Sequence, residues 1–279
     1  PHLSMIIREL ERDLGCPIFD RTSRGMIPTV RGEEFLRYAK GIMEQEAQLD
    51  KLCSRNKECP REIRLCGPRA SYISSTLKNF LKEDDRLFTT NVRYKETNSK
   101  DVVRLVSSKE FDLGIVRCQV LYEPFFLKMI QDEHLDSKVL WQFSPKVLMS
   151  PSHPLAGKEP LDHLDFSQSV ELLQGDIQYP SFTPENTDCV LPDSDPRHTI
   201  YIYDRGSQYE FLRHLPGAYM WTSPVPYSTL TEAKLIQREC TRPDNVFKDL
   251  LVCRSNYRLS KAETELTQWL GRTISQLSD

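Results

Sequence analysis

The chain has 279 residues and a mass of 32.5 kDa, about two domains' worth of sequence. With 39% apolar and 28% charged residues it can bury real cores, so wholesale disorder is excluded. Its 37 basic and 40 acidic side chains nearly cancel, and no apolar run approaches the length of a bilayer span, so no membrane partner is expected. The balance is local, however. Residues 62–279 carry 26 basic and 30 acidic groups, whereas Arg21 to Arg31 holds three arginines and no acid, so a polyanion would have to meet the N-terminal piece.

The first element is an amphipathic helix from Pro1 to Leu14. Leu3, Ile6, Ile7, Leu10 and Leu14 recur at spacings of three and four, and Gly15 provides a stop. The opposite face carries His2, Met5, Arg8 and Arg12, with Ser4 at its flank. The apolar stripe needs a surface that this sequence does not supply before residue 1. Pro17 to Arg21 and Met26 to Thr29 then read as a small hairpin whose tip, Thr22 to Gly25, carries arginine. A hairpin beside a helix is a winged element. Thr29 caps the next helix, with Glu33 and Glu34 in its first turn. From Val30 to about Cys53 the positions Phe35, Ala39, Ile42, Leu49 and Leu52 form a seam about 35 Å long, which asks for a partner helix.

Ser54 to Glu62 is charged, contains Pro60 and lacks periodicity, and so reads as a linker. Beyond it strands and helices alternate. Strands are expected at Ile63–Gly67, Phe88–Glu96 and Phe111–Arg117, with helices at Ser71–Lys82 and Ser99–Ser108 between them, a rhythm that predicts a parallel sheet flanked by helices. Further strands are expected at Lys146–Ser150, Ser169–Leu173, Thr199–Tyr203, Ala218–Thr222 and Phe247–Arg254, with helices at Ser207–His214 and Ser260–Gln276.

At this point the residues carry a family resemblance. The run from Pro1 to Leu36 is similar to the second half of the winged helix-turn-helix of LysR-type transcriptional regulators, with the pattern P-x-L-S-x-x-I-x-x-L-E-x-x-L-G-x-x-L-F-x-R followed by L-T-x-x-G. Twelve positions match: Pro1, Leu3, Ser4, Ile7, Leu10, Glu11, Leu14, Gly15, Phe19, Arg21, Thr29 and Gly32. FDLGIV (Phe111 to Val116), SPSHPLAGKEPL (Ser150 to Leu161) and PGAYMWTSP (Pro216 to Pro224) resemble the effector-binding half of the same family.

The resemblance implies an α/β architecture: a partial winged helix-turn-helix at 1–29, a dimerising linker helix and hinge at 30–61, and an effector-binding domain at 62–279. The last divides into two Rossmann-like subdomains of periplasmic-binding-protein-like type, 62–148 with 249–279 and 149–248. It also implies homodimers, tetramers on DNA, a cytoplasmic location and a small-molecule effector between the subdomains. Family members carry further residues upstream that complete the head, so truncation at Pro1 is the expectation. The pair after the family serine, often Arg-Gln, is Met5-Ile6 here, which weakens hydrogen-bonded reading of base edges. Met5 can meet a thymine methyl, and His2 and Arg8 remain as polar readers.

Elementary chemistry gives a compatible list. Ser4 suits a phosphate, Arg8 a phosphate or guanine, and Arg21 and Arg24 a narrow neighbouring groove of double-stranded DNA. Arg12 stays open between DNA and a solvated ion pair. For the effector, ligands of open α/β sheets lie at the carboxyl ends of strands against helix N-termini, where anions are favoured. That rule selects Arg69, Ser71, Tyr72, Asn98, Ser99, Arg117, Arg205 and Ser207, with Tyr219 as a further wall, and points to an anionic metabolite. Each is also readable as a helix cap or structural pair, Arg117 with Glu110 or Asp112.

No GxSxG, P-loop, GxGxxG or HExxH motif is present, so no catalytic residue, cofactor or metal site is expected. The eight cysteines lack zinc spacing and no secretory leader is seen, which suits reduced thiols in a cytosol. Some members of the family sense oxidants through a thiol pair; Cys189 with Cys240 and Cys53 with Cys59 are the pairs to consider. Two alternatives stand beside the regulator: a small-molecule receptor of solute-binding type without DNA function, and an enzyme on the same scaffold.

Overall fold

The computed structural model describes residues 2–22, 25–53, 61–83, 90–176, 198–241 and 246–278; the side chains of 2–5, 21–22, 46–53 and 61 lie outside that description. Two compact units result, Pro1–Cys59 and Pro60–Asp279.

In the first unit, α1 (His2–Leu14) leads to a two-stranded wing, β1 (Phe19–Thr22) against β2 (Gly25–Pro28), and then to α2 (Val30–Cys53). The family motif has a physical reading here. Glu11 accepts hydrogen bonds from the backbone N–H groups of Ile18 (2.8 Å) and Phe19 (3.0 Å), which fixes the wing to α1. Gly15 takes φ +66°, the left-handed turn that ends α1. Thr29 Oγ1 accepts from Gly32 N at 2.9 Å as the cap of α2, while donating to the Pro17 carbonyl. Gly32 has no substitute, because a Cβ there would sit 2.0 Å from the Ile18 carbonyl oxygen.

The second unit contains two five-stranded sheets. In the first, with order β4-β3-β5-β12-β6, the strands β3 (Arg61–Gly67), β4 (Thr90–Glu96) and β5 (Leu113–Gln119) are parallel. Of the other two, β12 (Phe247–Arg254) lies antiparallel between β5 and β6 (Leu135–Phe143), so β6 runs with the first three and the expected parallel sheet is mixed by β12. The reason is connectivity: β3, β4, β5 and β6 follow one another through the helices α3 (Ser71–Glu83), α4 (Ser99–Ser107) and α5 (Glu123–Asp132), whereas β12 enters after the strands of the second sheet. Alternating side chains feed two cores. Ile63, Leu65, Leu113 and Ile115 pack toward α3 and the closing helix α8 (Lys261–Ser278). Cys66, Val116, Leu250 and Val252 pack toward α4 and α5 (Glu123–Asp132).

The second sheet has the order β11-β7-β10-β8-β9. Here β8 (Val170–Gln174), β9 (His198–Ile202) and β10 (Ala218–Thr222) are parallel, and β7 (Lys146–Met149) lies antiparallel between β10 and β11 (Ile236–Arg238), which runs with the other three. Leu148, Leu172 and Met220 of the sheet pack with Leu212 of α6 (Arg205–His214) and Ala233 of α7 (Tyr227–Ala233). The chain passes from the first sheet to the second between Phe143 and Lys146, and returns between Arg238 and Phe247. The elements α5, β6, α7 and β11 have no counterpart among the sequence expectations.

Candidate functional site

The two sheets of the second unit face each other across a cleft where α3 and α6 begin, one from each sheet's own subdomain. Arg69 and Ser71 reach it from the turn after β3. Arg205 and Gln208 reach it from the first turn of α6, whose cap Asp204 accepts from Ser207 N at 2.8 Å. That bond holds the Asp204 carboxyl below its ordinary pKa. Met220, Thr222 and Val225 close the far wall at the end of β10. The empty space, counted out to its mouth, is about 270 Å³, and its interior has room for roughly one water.

Side chains that span the cleft explain the narrowness. Arg69 donates to the Asp176 carboxylate and, at 2.7 Å, to the Tyr203 carbonyl. Ser71 Oγ and Tyr209 OH share a hydrogen bond of 2.7 Å. From the other side Arg205 donates to Ser74 Oγ at 2.8 Å and pairs with Glu96 at 2.7 Å. Tyr94 OH donates to the same Glu96 oxygen at 3.0 Å; burial, then the Glu96 charge, raise its pKa and keep it a donor.

Of the effector residues named from sequence, Arg69, Ser71 and Arg205 therefore meet in one cavity. The others do not line it. Asn98 caps α4, accepting from Asp101 N at 2.9 Å. Ser99 Oγ donates to the Arg117 carbonyl at 2.7 Å and accepts from Arg117 N at 3.0 Å. Ser207 sits in the first turn of α6 outside the cavity wall.

Tyr72 and Arg117 are engaged away from this cavity. Tyr72 is fully buried in the α3–α8 core and donates to Asp249 at 2.7 Å. Arg117 turns to the same carboxylate, with Nε at 2.8 Å and Nη2 at 2.7 Å, and Trp141 Nε1 completes the set at 3.2 Å. Burial alone would lower the Arg117 pKa, but the Asp249 charge and hydrogen bonds raise it above its ordinary value. The pairs considered for Arg117 are taken elsewhere: Asp112 by Arg64 and Arg254, Glu110 by Arg104. Tyr219 is likewise buried, its ring 4.3 Å from that of Phe166. Sequence reasoning missed Gln208, Tyr209, Thr222 and Val225, although Thr222 ends a parallel strand and so obeys the strand-end rule.

On the first unit, Arg8 is exposed on α1. The side chains of His2, Ser4, Met5 and Arg21, and all of Arg24, lie outside the described residues. Arg12 lies 3.6 Å from Glu9 and 3.7 Å from Asp13 on the exposed face of α1. Along α2, Ile42 and Met43 are exposed and Phe35 and Ala39 half-buried, while Leu49 and Leu52 fall among the undescribed side chains.

The thiols offer little chemistry. Burial pushes Cys66 and Cys118 up to about 12, which keeps them protonated and unreactive. Cys240 is half-buried and in no disulfide among the described residues, whereas Cys189, Cys59 and the Cys53 side chain lie outside them. Among the described residues no cluster of His, Cys, Asp and Glu is arranged to hold a metal, and no helix is long and apolar enough to cross a membrane. His153 is buried in the HPL turn, where Nδ1 accepts from Leu155 N at 3.1 Å.

Comparison with known proteins agrees with this architecture. Residues 1–33 match the family described as bacterial regulatory helix-turn-helix protein, lysR family, and residues 86–176 match the LysR substrate binding domain. The RuBisCO operon transcriptional regulator of Allochromatium vinosum is 23% identical over 163 residues, 57% of this chain and 49% of that protein. BudR, a transcriptional regulator of Raoultella terrigena, is 27% identical over 180 residues, 62% of this chain and 57% of that protein. The chain thus spans about half the length of the curated relatives it matches. Among solved structures, a full-length OxyR variant from Pseudomonas aeruginosa superposes with a TM-score of 0.52 at 16% identity, covering 98% of this chain and 90% of that one. A full-length BenM variant does so with 0.52 at 18%, covering 99% and 88%. Both matched segments are similar to the LysR family of bacterial regulators, and the fold is that of a helix-turn-helix segment with two periplasmic-binding-protein-like subdomains.

Proposed function

We propose that the chain is part of a DNA-binding transcription regulator whose engagement of double-stranded DNA is set by a small molecule held between the two subdomains of Pro60–Asp279. The carrying observation is that one chain matches both the helix-turn-helix and the substrate-binding descriptions of the family. The cleft supports the second half of the reading: two helix N-termini, one from each subdomain, bring Arg69, Ser71, Arg205 and Gln208 together. The role is binding rather than turnover, in the cytoplasm.

In this reading Arg8, with His2, Ser4 and Met5, faces the major groove, and Arg21 and Arg24 follow the backbone from the wing. The exposed Ile42 and Met43 on α2 pair with a second copy, so that two heads act together on one site. A ligand that prefers one arrangement of the subdomains shifts the population of that arrangement and no more than its differential affinity allows.

Fluorescence anisotropy of a duplex from upstream of its own gene, with the natural full-length protein, tests the proposal. Binding that weakens steeply with added salt and changes with a small metabolite supports it. Metabolite binding with no DNA binding in dilute buffer favours the receptor alternative, and conversion of the bound metabolite favours an enzyme.

A further inference from the structure

Among the described residues, the two subdomains of Pro60–Asp279 share no apolar core. Each hydrophobic cluster draws its side chains from one sheet and the helices packed on it, and none includes residues of both. Closure at the cleft is left to polar side chains. Arg69 of the first subdomain is held by Asp176 and the Tyr203 carbonyl of the second. The arrangement is reciprocal, because Arg205 of the second subdomain is held by Glu96 and Ser74 of the first. Ser71 and Tyr209 share a hydrogen bond across the same gap, and farther along α3 Lys78 lies 3.5 Å from Glu232 of α7.

The bridges are not scattered. Ser71, Ser74 and Lys78 recur at spacings of three and four, so one face of α3 supplies much of the first subdomain's side, with Arg69 from the turn before it. The start of α6 faces it with Arg205 and Tyr209. The charged side chains of the pairs Arg69–Asp176 and Arg205–Glu96 are each less than a third exposed, which separates them from ordinary surface pairs and from Lys78–Glu232, at 40% and 69%. With every bridge made, the cavity interior has room for roughly one water. A metabolite does not fit the cleft in that state.

We propose that Arg69–Asp176 and Arg205–Glu96 are the strap of a cleft that the ligand-free chain keeps shut, and that the subdomains part, breaking both pairs in one step, before an effector enters. Units that meet without a large apolar interface move relative to one another by default. Charge pairs rather than buried hydrocarbon therefore set the open fraction, and the apparent affinity for an effector is the intrinsic one reduced by that fraction. An effector carboxylate reaches either arginine only by taking the place of Asp176 or Glu96. These consequences rest on the cleft being the effector site; the strap itself rests on the bridges.

Phenylglyoxal, which adds to unpaired guanidinium groups, tests the strap on the ligand-free full chain, with mass spectrometry reading each arginine. Arg258, exposed outside the cleft, is the reference, and Arg64, paired with Asp112 inside the first subdomain, reports unfolding. In the native chain Arg69 and Arg205 should label about tenfold or more slower than Arg258, because a protected group reacts through the open population. Asp176→Asn is read at Arg205 and Glu96→Gln at Arg69, in each case the arginine whose own carboxylate is untouched. Both should label about threefold or more faster than in the native chain, with Arg64 unchanged, since loss of one pair frees the other. Salt at about 1 M should speed Arg69 and Arg205 of the native chain together, which keeps the test decisive if a variant misfolds. The strap is overturned if native Arg69 and Arg205 label as fast as Arg258, or if salt leaves both rates unchanged. It is also overturned if labelling rises only at the arginine whose own partner was removed. Any of these results leaves the effector reading of the cleft standing, because no ligand enters the measurement.

Discussion

Replacing Arg117 with leucine tests the correction that moved this residue out of the effector site. Asp249 is fully buried on β12, opposite Arg117 of β5 and Trp141 of β6 in the ladder register. Its carboxylate collects four donors: two from Arg117 at 2.7 and 2.8 Å, the Tyr72 hydroxyl at 2.7 Å and the Trp141 indole at 3.2 Å. Arg117→Leu removes the only cation and leaves two neutral donors on a buried charge. Breaking a buried pair in this way costs about 3–5 kcal/mol. Because the Arg117 side chain is 17% exposed, the lower end, about 3 kcal/mol, is expected. For a unit of this size that lowers Tm by roughly 6–12 °C. The double variant Arg117→Leu with Asp249→Leu should recover much of the loss, since removing both charges leaves none to solvate. Calorimetry and urea titration of the single and double variants measure both effects. A single variant within about 2 °C of the native Tm would refute the reasoning, as would losses that simply add. A stable Arg117→Leu protein that no longer binds effector would return Arg117 to the cleft.

Gly32→Ala should destabilise the first unit by about 1–3 kcal/mol although alanine is the better helix former, because its Cβ would meet the Ile18 carbonyl oxygen at 2.0 Å; amide hydrogen exchange across residues 2–53 reads the result, and slower exchange would contradict it. His153 has its pKa lowered by burial, opposed by a bond to the Gly217 backbone. The folded chain therefore resists a proton that the unfolded chain accepts, so stability is complete above about pH 6.5 and declines as pH falls from there through the lower folded value. His153→Gln should flatten that part of the pH–Tm curve, and an unchanged slope would assign it to other groups. Cys66 and Cys118, held at about 12 by burial, should resist a thiol reagent at neutral pH and react on unfolding; prompt native labelling of either would overturn the assignment.

Much of the second unit was legible because β3, β5 and β12 are central strands. Their apolar residues are buried on both faces, and runs such as Leu113 to Val116 stand out from the polar helices between them. The strand β6 was not legible for the opposite reason: it is an edge strand, with Asp136 to Val139 all exposed, so no period of two survives in LDSKVLWQF. The helices α5 and α7 are short, and Pro124 at the start of one and Pro226 before the other read as loop signals. The mixed sheets follow from β7 and β12, the strands entered directly after each crossing between the sheets, whose direction local rhythm does not encode.

The site divides in the same way. Strand ends and helix starts are local features, so Arg69, Ser71 and Arg205 could be named without coordinates. The partner that buries Arg117 and Tyr72 is Asp249, 132 residues beyond the first and 177 beyond the second, and no spacing rule spans that distance. Gln208 carried a weak signal, a polar residue three positions after Arg205 on one helix face, and Thr222 a stronger one at the end of β10.

The central claim is that occupation of the cleft changes how the head meets DNA. The most direct test is the affinity of the natural full-length protein for a duplex from its own upstream region, followed by anisotropy with and without the small molecule that binds the native cleft, and repeated with Gln208→Glu. The account predicts an affinity change with the native protein and a smaller one with the variant at the same ligand concentration. The same affinity at all ligand concentrations, with the cleft demonstrably filled, would contradict it.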